Sequence, residues 1–379
     1  MKIYQISKPN SIKKYLTNLE VDSGGVEIIS QKMELLYIEI KDLKTPAVNI
    51  LKQDALSVGA ELAVPSGVVL CEKELYDCLL IGTKRALAKL AKKELAQPFG
   101  LKSVAKALSE ILQPKKSYKT KIMGVLNANS DSFYSGSRFV GDSAIEKIDR
   151  LIEEGADIID IGGVSSRPGS SAVSEDEELA RVKDILDTIK KNLLYEKVDF
   201  SIDSYSPKVV EYALKRNFRY INDITGARDD RLIKLAIKYK AKYIIMHMQG
   251  EPKSMQDNPK YDSVVSEVAH FFQTQIQKCQ DMGLNKDDII LDVGIGFGKT
   301  LEHNIQLLQS HEYFTKFGCE VLIGASRKSM IDKIYSSTAQ ERLPGSLAIH
   351  LKALDRGASI IRCHDVKEHK QAVAIWQEI

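Results

Sequence analysis

The sequence has no strong excess of charge of either sign. Its 379 residues include 54 Lys+Arg and 51 Asp+Glu. A protein that binds nucleic acid usually carries a marked basic excess on one face. The charge balance therefore argues against a nucleic-acid partner.

Long hydrophobic runs are also missing. No apolar stretch approaches the roughly 18 residues that a membrane-spanning helix needs. Residues Met1–Asn10 do not show the basic, apolar and small-residue succession of a secretory leader. We therefore expect neither secretion nor a membrane partner.

Cysteine is scarce and forms no pattern. The 5 cysteines are odd in number and scattered, without the spacing of a metal site: Cys71, Cys78, Cys279, Cys319 and Cys363. We interpret them as reduced thiols, most of them in the core, and expect a cytoplasmic protein.

From Tyr118 onward, short apolar runs alternate with amphipathic helical stretches. The runs are KIMGVLN, ADIIDIGG, VDFSID, RYINDITG, KYIIMHM, DIILDVG, EVLIGAS and SIIRCHD. Continuous Ile, Val and Leu runs are typical of strands buried on both faces, and Gly155, Gly283 and Gly357 stand where helix C-terminal glycines belong. An open doubly wound sheet is the alternative, but it rarely has so many evenly spaced units. The pattern predicts an α/β fold, a (β/α)₈ TIM barrel over residues 116–379.

Residues 1–115 do not follow this alternation, and their pattern predicts an additional N-terminal α/β segment. They contain the β-like runs VEIIS, LLYIEI and CLLIG and a basic helical stretch at Thr83–Ala96. We expect the linker at Gln113–Thr120. No chemistry is visible in this segment, and its role stays open.

Two neighbouring strands end in clusters of basic residues. GASRKS at Gly324–Ser329 follows EVLI, and RCHD at Arg362–Asp365 follows SII. We name these two segments the cationic strand ends. Since the chemistry of a barrel lies at the carboxyl ends of its strands, they predict a site for an anion, either phosphate or carboxylate.

The other strands also end in polar side chains. Asn127, Asp203, Asn222 and Asp292 each close a run. A single Asp after a strand is commonly a helix cap, but a ring of such ends predicts a pocket for a flat, amide-rich heterocycle. The loop GIGFGKT at Gly294–Thr300 lacks the spacing of a P-loop or a dinucleotide fingerprint. It is either a tight turn or a place where backbone approaches a ligand.

The ordered motifs resemble the dihydropteroate synthase family over about residues 121–379. They are MGVLNANSDSF, DIIDIGGVSSRPG, SIDSY, INDI, IIMHMQGEPKSMQ, IILDVGIGFGKT, IGASRKS, ERLPGSLA and IIRCHDV. The resemblance implies a transferase of folate biosynthesis that joins a pterin pyrophosphate to para-aminobenzoate. It also implies Mg²⁺, a homodimer and sensitivity to sulfonamides.

The resemblance assigns roles to individual residues. For the pterin it implies Asp203, Asn222 and Asp292, with Met246 and Phe297 as apolar walls. For both substrates it implies Lys328, and for the pyrophosphate Arg362, His364 and Asn127, the last also contacting Mg²⁺. Loops at Asp131–Phe133 and Ser165–Pro168 would close over the site, with Ser166 and Arg167 nearest the second substrate. The catalytic set expected is Asp203, Lys328, Arg362 and His364.

Three short segments depart from the family pattern. Asn129-Ser130 replaces the usual Thr-Pro, Val164-Ser165-Ser166 replaces Glu-Ser-Thr, and Val293 replaces the Pro after Asp292. None removes an expected ligand. Two alternatives remain: a pterin-binding protein without catalysis, and a pterin methyltransferase serving a corrinoid protein. The second has no need for the cationic strand ends, because its substrate carries no pyrophosphate.

Overall fold

The computed structural model describes residues 3, 12–113, 116, 118–128, 140–164, 173–250 and 255–378, with side chains for all of these except 140–143. The chain divides into two compact units, Met1–Pro114 and Lys115–Ile379.

The first unit combines helices with a small antiparallel sheet. Its elements are α1 (Ile12–Asn18), α2 (Ser23–Met33), β1 (Leu35–Lys44), α3 (Thr45–Val58), β2 (Glu61–Ala63), β3 (Leu75–Thr83), α4 (Lys84–Glu94) and α5 (Leu101–Ile111). Within the described part of this unit, three strands pair in the order β1-β3-β2. Alternate β3 residues such as Cys78 and Leu80 pack on Leu51, Leu87 and Leu90 of the helices. This half-buried alternation is typical of a sheet covered by helices on one face.

The prediction of a strand at VEIIS is wrong. Val26–Ser30 lies inside α2, which begins where the Asp22 side chain accepts a hydrogen bond from the backbone N–H of Gly25. Glu27 also accepts from Gln31 one turn further on, at 3.1 Å. The cap and the i,i+4 pair stabilise a helix despite the β-branched residues. The runs LLYIEI and CLLIG lie in β1 and β3 as predicted.

The second unit alternates strands and helices throughout. Its elements are β4 (Lys121–Asn127), α6 (Val140–Glu153), β5 (Ile158–Gly162), α7 (Glu175–Lys191), β6 (Asp199–Asp203), α8 (Pro207–Leu214), β7 (Tyr220–Asp223), α9 (Asp230–Tyr239), β8 (Lys242–Met246), α10 (Val264–Asp281), β9 (Ile289–Asp292), α11 (Leu301–Gln309), β10 (Glu320–Ile323), α12 (Ser329–Ile334), α13 (Leu343–Asp355), β11 (Ile360–Cys363) and α14 (Val366–Glu378).

The strands of this unit close on themselves. In the described residues they form a closed barrel in the order β10-β11-β4-β5-β6-β7-β8-β9, with parallel pairing. The ring closes where β11 pairs with β4, for example at Ile361 and Ile122. The predicted (β/α)₈ TIM barrel is confirmed. Gly155, Gly283 and Gly357 follow α6, α10 and α13 at φ of 93°, 99° and 87°, as the sequence predicted.

Apolar side chains fill the barrel lumen and separate its two ends. Met123, Tyr220, Ile244, Ile290 and Leu322 belong to one buried cluster of strand residues. Such a packed interior leaves the carboxyl end of the strands as the face open to chemistry. No helix among the described residues has the length and apolarity that crossing a bilayer requires.

Candidate active site

The expected pterin residues come together because neighbouring strands end in register at the carboxyl end of the barrel. Asp203 closes β6 and pairs in register with Asn222 of β7. Asp292 closes β9 and pairs in register with Met246 of β8. All four therefore stand at the carboxyl ends of adjacent strands, which is where a barrel enzyme places its catalytic groups.

A network of charged hydrogen bonds crosses the mouth of the barrel. Nε of Arg362 donates to Oδ2 of Asp160 at 2.7 Å, and its Nη2 donates to Oδ2 of Asp203, also at 2.7 Å. The Asn222 amide donates to the same Asp160 oxygen at 2.9 Å. Charge-assisted bonds of this length orient all four groups before any substrate arrives.

Burial and neighbouring charge set the protonation of this network. Burial raises the pKa of Asp203, and the opposing effect of Arg362 is weakened by the second carboxylate, Asp160. Burial alone would lower the pKa of Arg362, but Asp160 and Asp203 raise it above its ordinary value. Two carboxylates thus share one permanent cation, so Asp203 can exchange a proton while Arg362 stays charged.

Asp160 is a member of the site that the sequence did not predict. It lies in the middle of β5 and its side chain is fully buried. One carboxylate oxygen, Oδ1, has no hydrogen-bond partner in the described structure. A signal was present in the sequence, because a charged residue at the centre of the apolar run DIIDIGG is buried on either face of a barrel strand and needs a polar partner. The hydrogen bonds to Arg362 and Asn222 show that this partner lies at the mouth.

Asp292 is the third acidic group of the pocket, after Asp160 and Asp203. Its Oδ1 accepts a hydrogen bond from the Gly294 N–H at 2.8 Å. Burial raises its pKa, against the lowering effects of that hydrogen bond and of Lys328. A carboxyl group held this way can accept from the amino and ring N–H groups of a heterocycle.

Two further expected residues, Met246 and Phe297, lie in an apolar cluster. Met246 belongs to a buried cluster with Met248 and Met255, against which Phe297 packs. The Lys328 Nζ lies 4.1 Å from the centroid of the Phe297 ring. This cation–π contact directs Lys328 toward the pocket rather than into bulk solvent.

The glycine-rich loop is a tight turn. Gly294 has φ of 67°, and a Cβ there would stand 2.0 Å from the His247 carbonyl oxygen. Behind the turn, Lys299 donates to the carbonyls of His247 and Phe297 at 3.1 and 2.9 Å and contacts Nδ1 of His247 at 3.0 Å. Burial lowers the pKa of Lys299 to about 7 and that of His247 to about 3. The glycines let the loop pack against the end of β8, and the hydrogen bonds of Lys299 hold it there.

The two cationic strand ends are joined by hydrogen bonds and an ion pair. Ser326 Oγ lies 3.0 Å from Nδ1 of His364 and accepts from the His364 backbone N–H at 3.3 Å. The Arg327 guanidinium binds the Asp365 carboxylate, with Nε at 2.9 Å from Oδ2. Desolvation and the charge of Arg362 lower the pKa of His364 to about 4, so its ring is a neutral hydrogen-bonding group near pH 7. Arg327 is thus paired with Asp365 outside the pocket, and Arg362 is paired with Asp160 and Asp203 inside it. Lys328 adds a further positive charge beside Phe297 and Asp292.

Three expected residues complete the comparison with the sequence. Asn127 ends β4 and is partly exposed at the barrel mouth. Ser166 and Arg167, together with the loop residues 131–133, lie outside the described residues. The roles of these residues, like those of the other expected site residues, stay predictions.

The comparisons with known proteins agree with this geometry. Residues 123–364 match the model of a family described as pterin binding enzyme. A bifunctional dihydropteroate synthase/dihydropteroate reductase of Helicobacter pylori is 38% identical over 98% of this chain and 97% of its own length.

Two solved structures match the barrel. The dihydropteroate synthase of Yersinia pestis with a sulfonamide drug complex is 36% identical, with a TM-score of 0.64 over 70% of this chain and 98% of its own. The enzyme of Thermus thermophilus in complex with 4-aminobenzoate is 35% identical, with a TM-score of 0.61 over 69% of this chain and 95% of its own.

Fold and site thus define a pterin-binding transferase built on a (β/α)₈ barrel. The chain belongs to the dihydropteroate synthase family. The alternative of a corrinoid-linked methyltransferase finds no support among these relatives.

Proposed function

We propose that this chain condenses 6-hydroxymethyl-7,8-dihydropterin pyrophosphate with para-aminobenzoate to give 7,8-dihydropteroate and pyrophosphate. The observation that carries this is the group of Asp203, Asn222 and Asp292 at the carboxyl ends of β6, β7 and β9. Asp203 is hydrogen-bonded to Arg362, which belongs to the cationic strand ends. A site with hydrogen-bonding groups for a heterocycle and cations for a leaving diphosphate has both parts that the reaction needs.

The pocket residues bind the pterin by hydrogen bonds along one edge. Asp292 and Asp203 accept from its amino and ring N–H groups, and Asn222 can both donate and accept. Met246 and Phe297 cover its flat faces. Lys328 is held over Phe297, and in this proposal it is the cation on the side of the methylene carbon.

The bond changes are a displacement at that methylene carbon. The C–O bond to the pyrophosphate breaks with both electrons leaving on oxygen, and positive charge builds on the pterin methylene. The amine nitrogen of para-aminobenzoate forms the new C–N bond and then loses one proton to solvent. Ionised Asp203 stabilises the developing cation, and Arg362 and Lys328 offset the charge on the leaving group. An aryl amine is weakly basic, so the step needs no strong general base.

The leaving group is the part of the substrate that would carry Mg²⁺. Asn127 offers an amide oxygen at the end of β4. No cluster of three or more His, Cys, Asp or Glu side chains suited to a metal occurs in the described part of the chain. This donor set fits a Mg²⁺ ion held mainly by diphosphate oxygens and water, with Asn127 as a protein ligand. When bound, Mg²⁺ would supply charge neutralisation on the diphosphate.

Pyrophosphate release by the purified full chain tests the proposal. We expect release that requires para-aminobenzoate, is stimulated by Mg²⁺ and is stoichiometric with dihydropteroate. Arg362→Ala should abolish it, whereas Glu320→Gln, at the opposite end of the barrel, should retain it. Pterin binding without release, or full turnover by Arg362→Ala, would favour the alternative of a binding protein without catalysis.

A relative that matches 98% of this chain suggests a second activity. The bifunctional protein of H. pylori extends over both units, whereas the two solved synthases leave uncovered a part similar in size to the first unit. We therefore propose that the reductase activity in that relative's name belongs to the part that matches residues 1–114. We propose that this chain also reduces dihydropteroate to tetrahydropteroate. A hydride from a reduced nicotinamide or flavin donor would add to C6 and a proton to N5.

The two activities can be separated in one protein. Dihydropteroate is supplied to the Asp203→Asn chain together with NADH, NADPH or reduced flavin, and tetrahydropteroate is measured. We expect reduction at the rate of the unaltered chain, because Asp203 belongs to the barrel. No reduction by the unaltered chain with any donor would exclude the second activity and leave the synthase unaffected.

Sensitivity to sulfonamides is proposed by analogy with the Y. pestis complex, in which such a drug is bound. The homodimer and the cytoplasmic location stay predictions.

A further inference from the structure

Two buried histidines connect the cationic strand ends beneath the site. His350 of α13 and His369 of α14 are 0% and 1% exposed, and Nδ1 of His350 lies 2.8 Å from Nε2 of His369. At one end, the Ala325 backbone N–H donates to Nε2 of His350 at 3.0 Å. At the other, Nδ1 of His369 lies 2.6 Å from the carbonyl oxygen of Asp365. We name this series of hydrogen bonds the histidine relay.

The partners at each end determine where the protons are. A backbone N–H can only donate, so Nε2 of His350 accepts and Nδ1 carries its proton. A carbonyl can only accept, so Nδ1 of His369 carries the other proton and Nε2 accepts from His350. Burial lowers the pKa of both rings, with His369 and His364 lowering that of His350 further. Every ring nitrogen then has one partner, and both rings are neutral.

The relay begins at a strained turn. Arg327 has φ of 54°, a conformation that is unfavourable for a residue with a side chain. The N–H of Arg327 donates to Ser346 of α13 at 2.8 Å, one turn before His350, and its guanidinium binds Asp365. A backbone conformation of this kind persists only where the surroundings hold it. Here α13 holds the turn at Ala325 and at Arg327.

The same relay ends at the other strand end. Asp365 directly precedes α14 and follows His364, whose ring contacts Ser326. The segments carrying Lys328 and Arg362 are therefore joined directly by Ser326 with His364 and by Arg327 with Asp365, and also through the two histidines.

We infer that His350 and His369 are positioning residues, whose relay from Ala325 to Asp365 sets the spacing of the cationic strand ends that receive the pyrophosphate. Neither ring is part of the hydrogen-bond network around the expected pterin residues. The inference rests on the proposed function and extends it to a pair of residues that neither the motifs nor the pocket predicted.

The experiment compares His350→Leu, which removes the relay, with His350→Gln, whose amide oxygen can still accept from Ala325. Leu354→Ala on the same helix is the matched control, since it opens the core near α13 without touching the relay. Three quantities are measured on the full chain: kcat/KM for pterin pyrophosphate, inhibition by inorganic pyrophosphate, and the Kd of a pterin that lacks the diphosphate.

We expect His350→Leu to lower kcat/KM and weaken pyrophosphate inhibition, each by about 10- to 100-fold, with the Kd of the pterin unchanged. His350→Gln should restore most of the loss, and Leu354→Ala should reduce thermal stability alone. The inference is overturned if His350→Leu behaves like Leu354→Ala, or if pterin and pyrophosphate binding fall together. An unaltered chain that forms no dihydropteroate would instead refute the proposed function.

Discussion

The guanidinium of Arg362 and the carboxylate of Asp203 meet at 2.7 Å across the mouth of the barrel, although 159 positions separate them in the chain. This ion pair joins the heterocycle pocket to the groups expected to hold the leaving diphosphate. The charge of Asp203 therefore depends on Arg362 and Asp160 as well as on its own burial.

Removing the charge of Asp203 should impair catalysis more than folding. Asp203→Asn keeps the shape of the side chain and a hydrogen-bond acceptor for Arg362, which still has Asp160 as its counter-ion. We expect kcat/KM to fall by about 10²-fold or more, because the developing methylene cation loses its nearest anion. Thermal unfolding, measured in parallel, should change little. A variant with near-normal turnover would contradict this role for Asp203.

The same carboxyl group should give the activity an acidic limb. The pKa of Asp203 is raised by burial, so it takes up a proton at a higher pH than an ordinary aspartate. Activity depends on its ionised form and should therefore fall as pH falls through that raised pKa. The limb should be absent from the residual activity of Asp203→Asn. A pH profile of kcat/KM checks both, and an identical acidic limb in the variant would assign the titration to another group.

Lys299 should stabilise the loop that follows β9. In Lys299→Met the carbonyls of His247 and Phe297 lose a buried donor, at a cost of about 2–5 kcal/mol in the free energy of unfolding. Denaturant titration measures this loss.

The stability of the unaltered chain should also depend on the charge of Lys299. Its folded-state pKa, about 7, lies below the ordinary 10.5, so the unfolded chain binds more protons between these values. Stability should rise with pH across that interval and be lost as pH falls toward 7. The Lys299→Met chain should lack this component, and an unchanged slope in the variant would contradict the assignment.

A charge cluster at the opposite end of the barrel should affect stability alone. Glu320 of β10 is 4% exposed and binds Lys121 of β4 and Lys242 of β8 at 3.1 and 3.0 Å. Glu320→Gln should lower the free energy of unfolding by about 1–3 kcal/mol, because two lysines lose their shared anion. The KM values for both substrates should stay unchanged, since this end does not bind them. A changed KM would show that the two ends are coupled.

Much of the site was predictable because the end of each barrel strand can be recognised in the sequence. Buried parallel strands are read as continuous apolar runs, and the first polar residue after each run stands at the same edge. The positions of Asp203, Asn222 and Asp292 followed from that rule, as did the cationic strand ends. Asp160 was missed because it lies inside a strand, before the end of its apolar run, and the rule selects only the residues after that end.

The sequence by itself determined the barrel, through the alternation of buried strands and amphipathic helices, and the family, through motifs in a fixed order. Only the tertiary structure decided the partners. It showed that Arg327 forms an ion pair with Asp365 and that Lys299 donates hydrogen bonds within the turn after β9. It also showed that two histidines 19 positions apart share a hydrogen bond. The physical reason is that strand and helix periodicity depend on neighbours in the chain. Pairing of buried polar groups instead depends on which strand ends the closed barrel brings together.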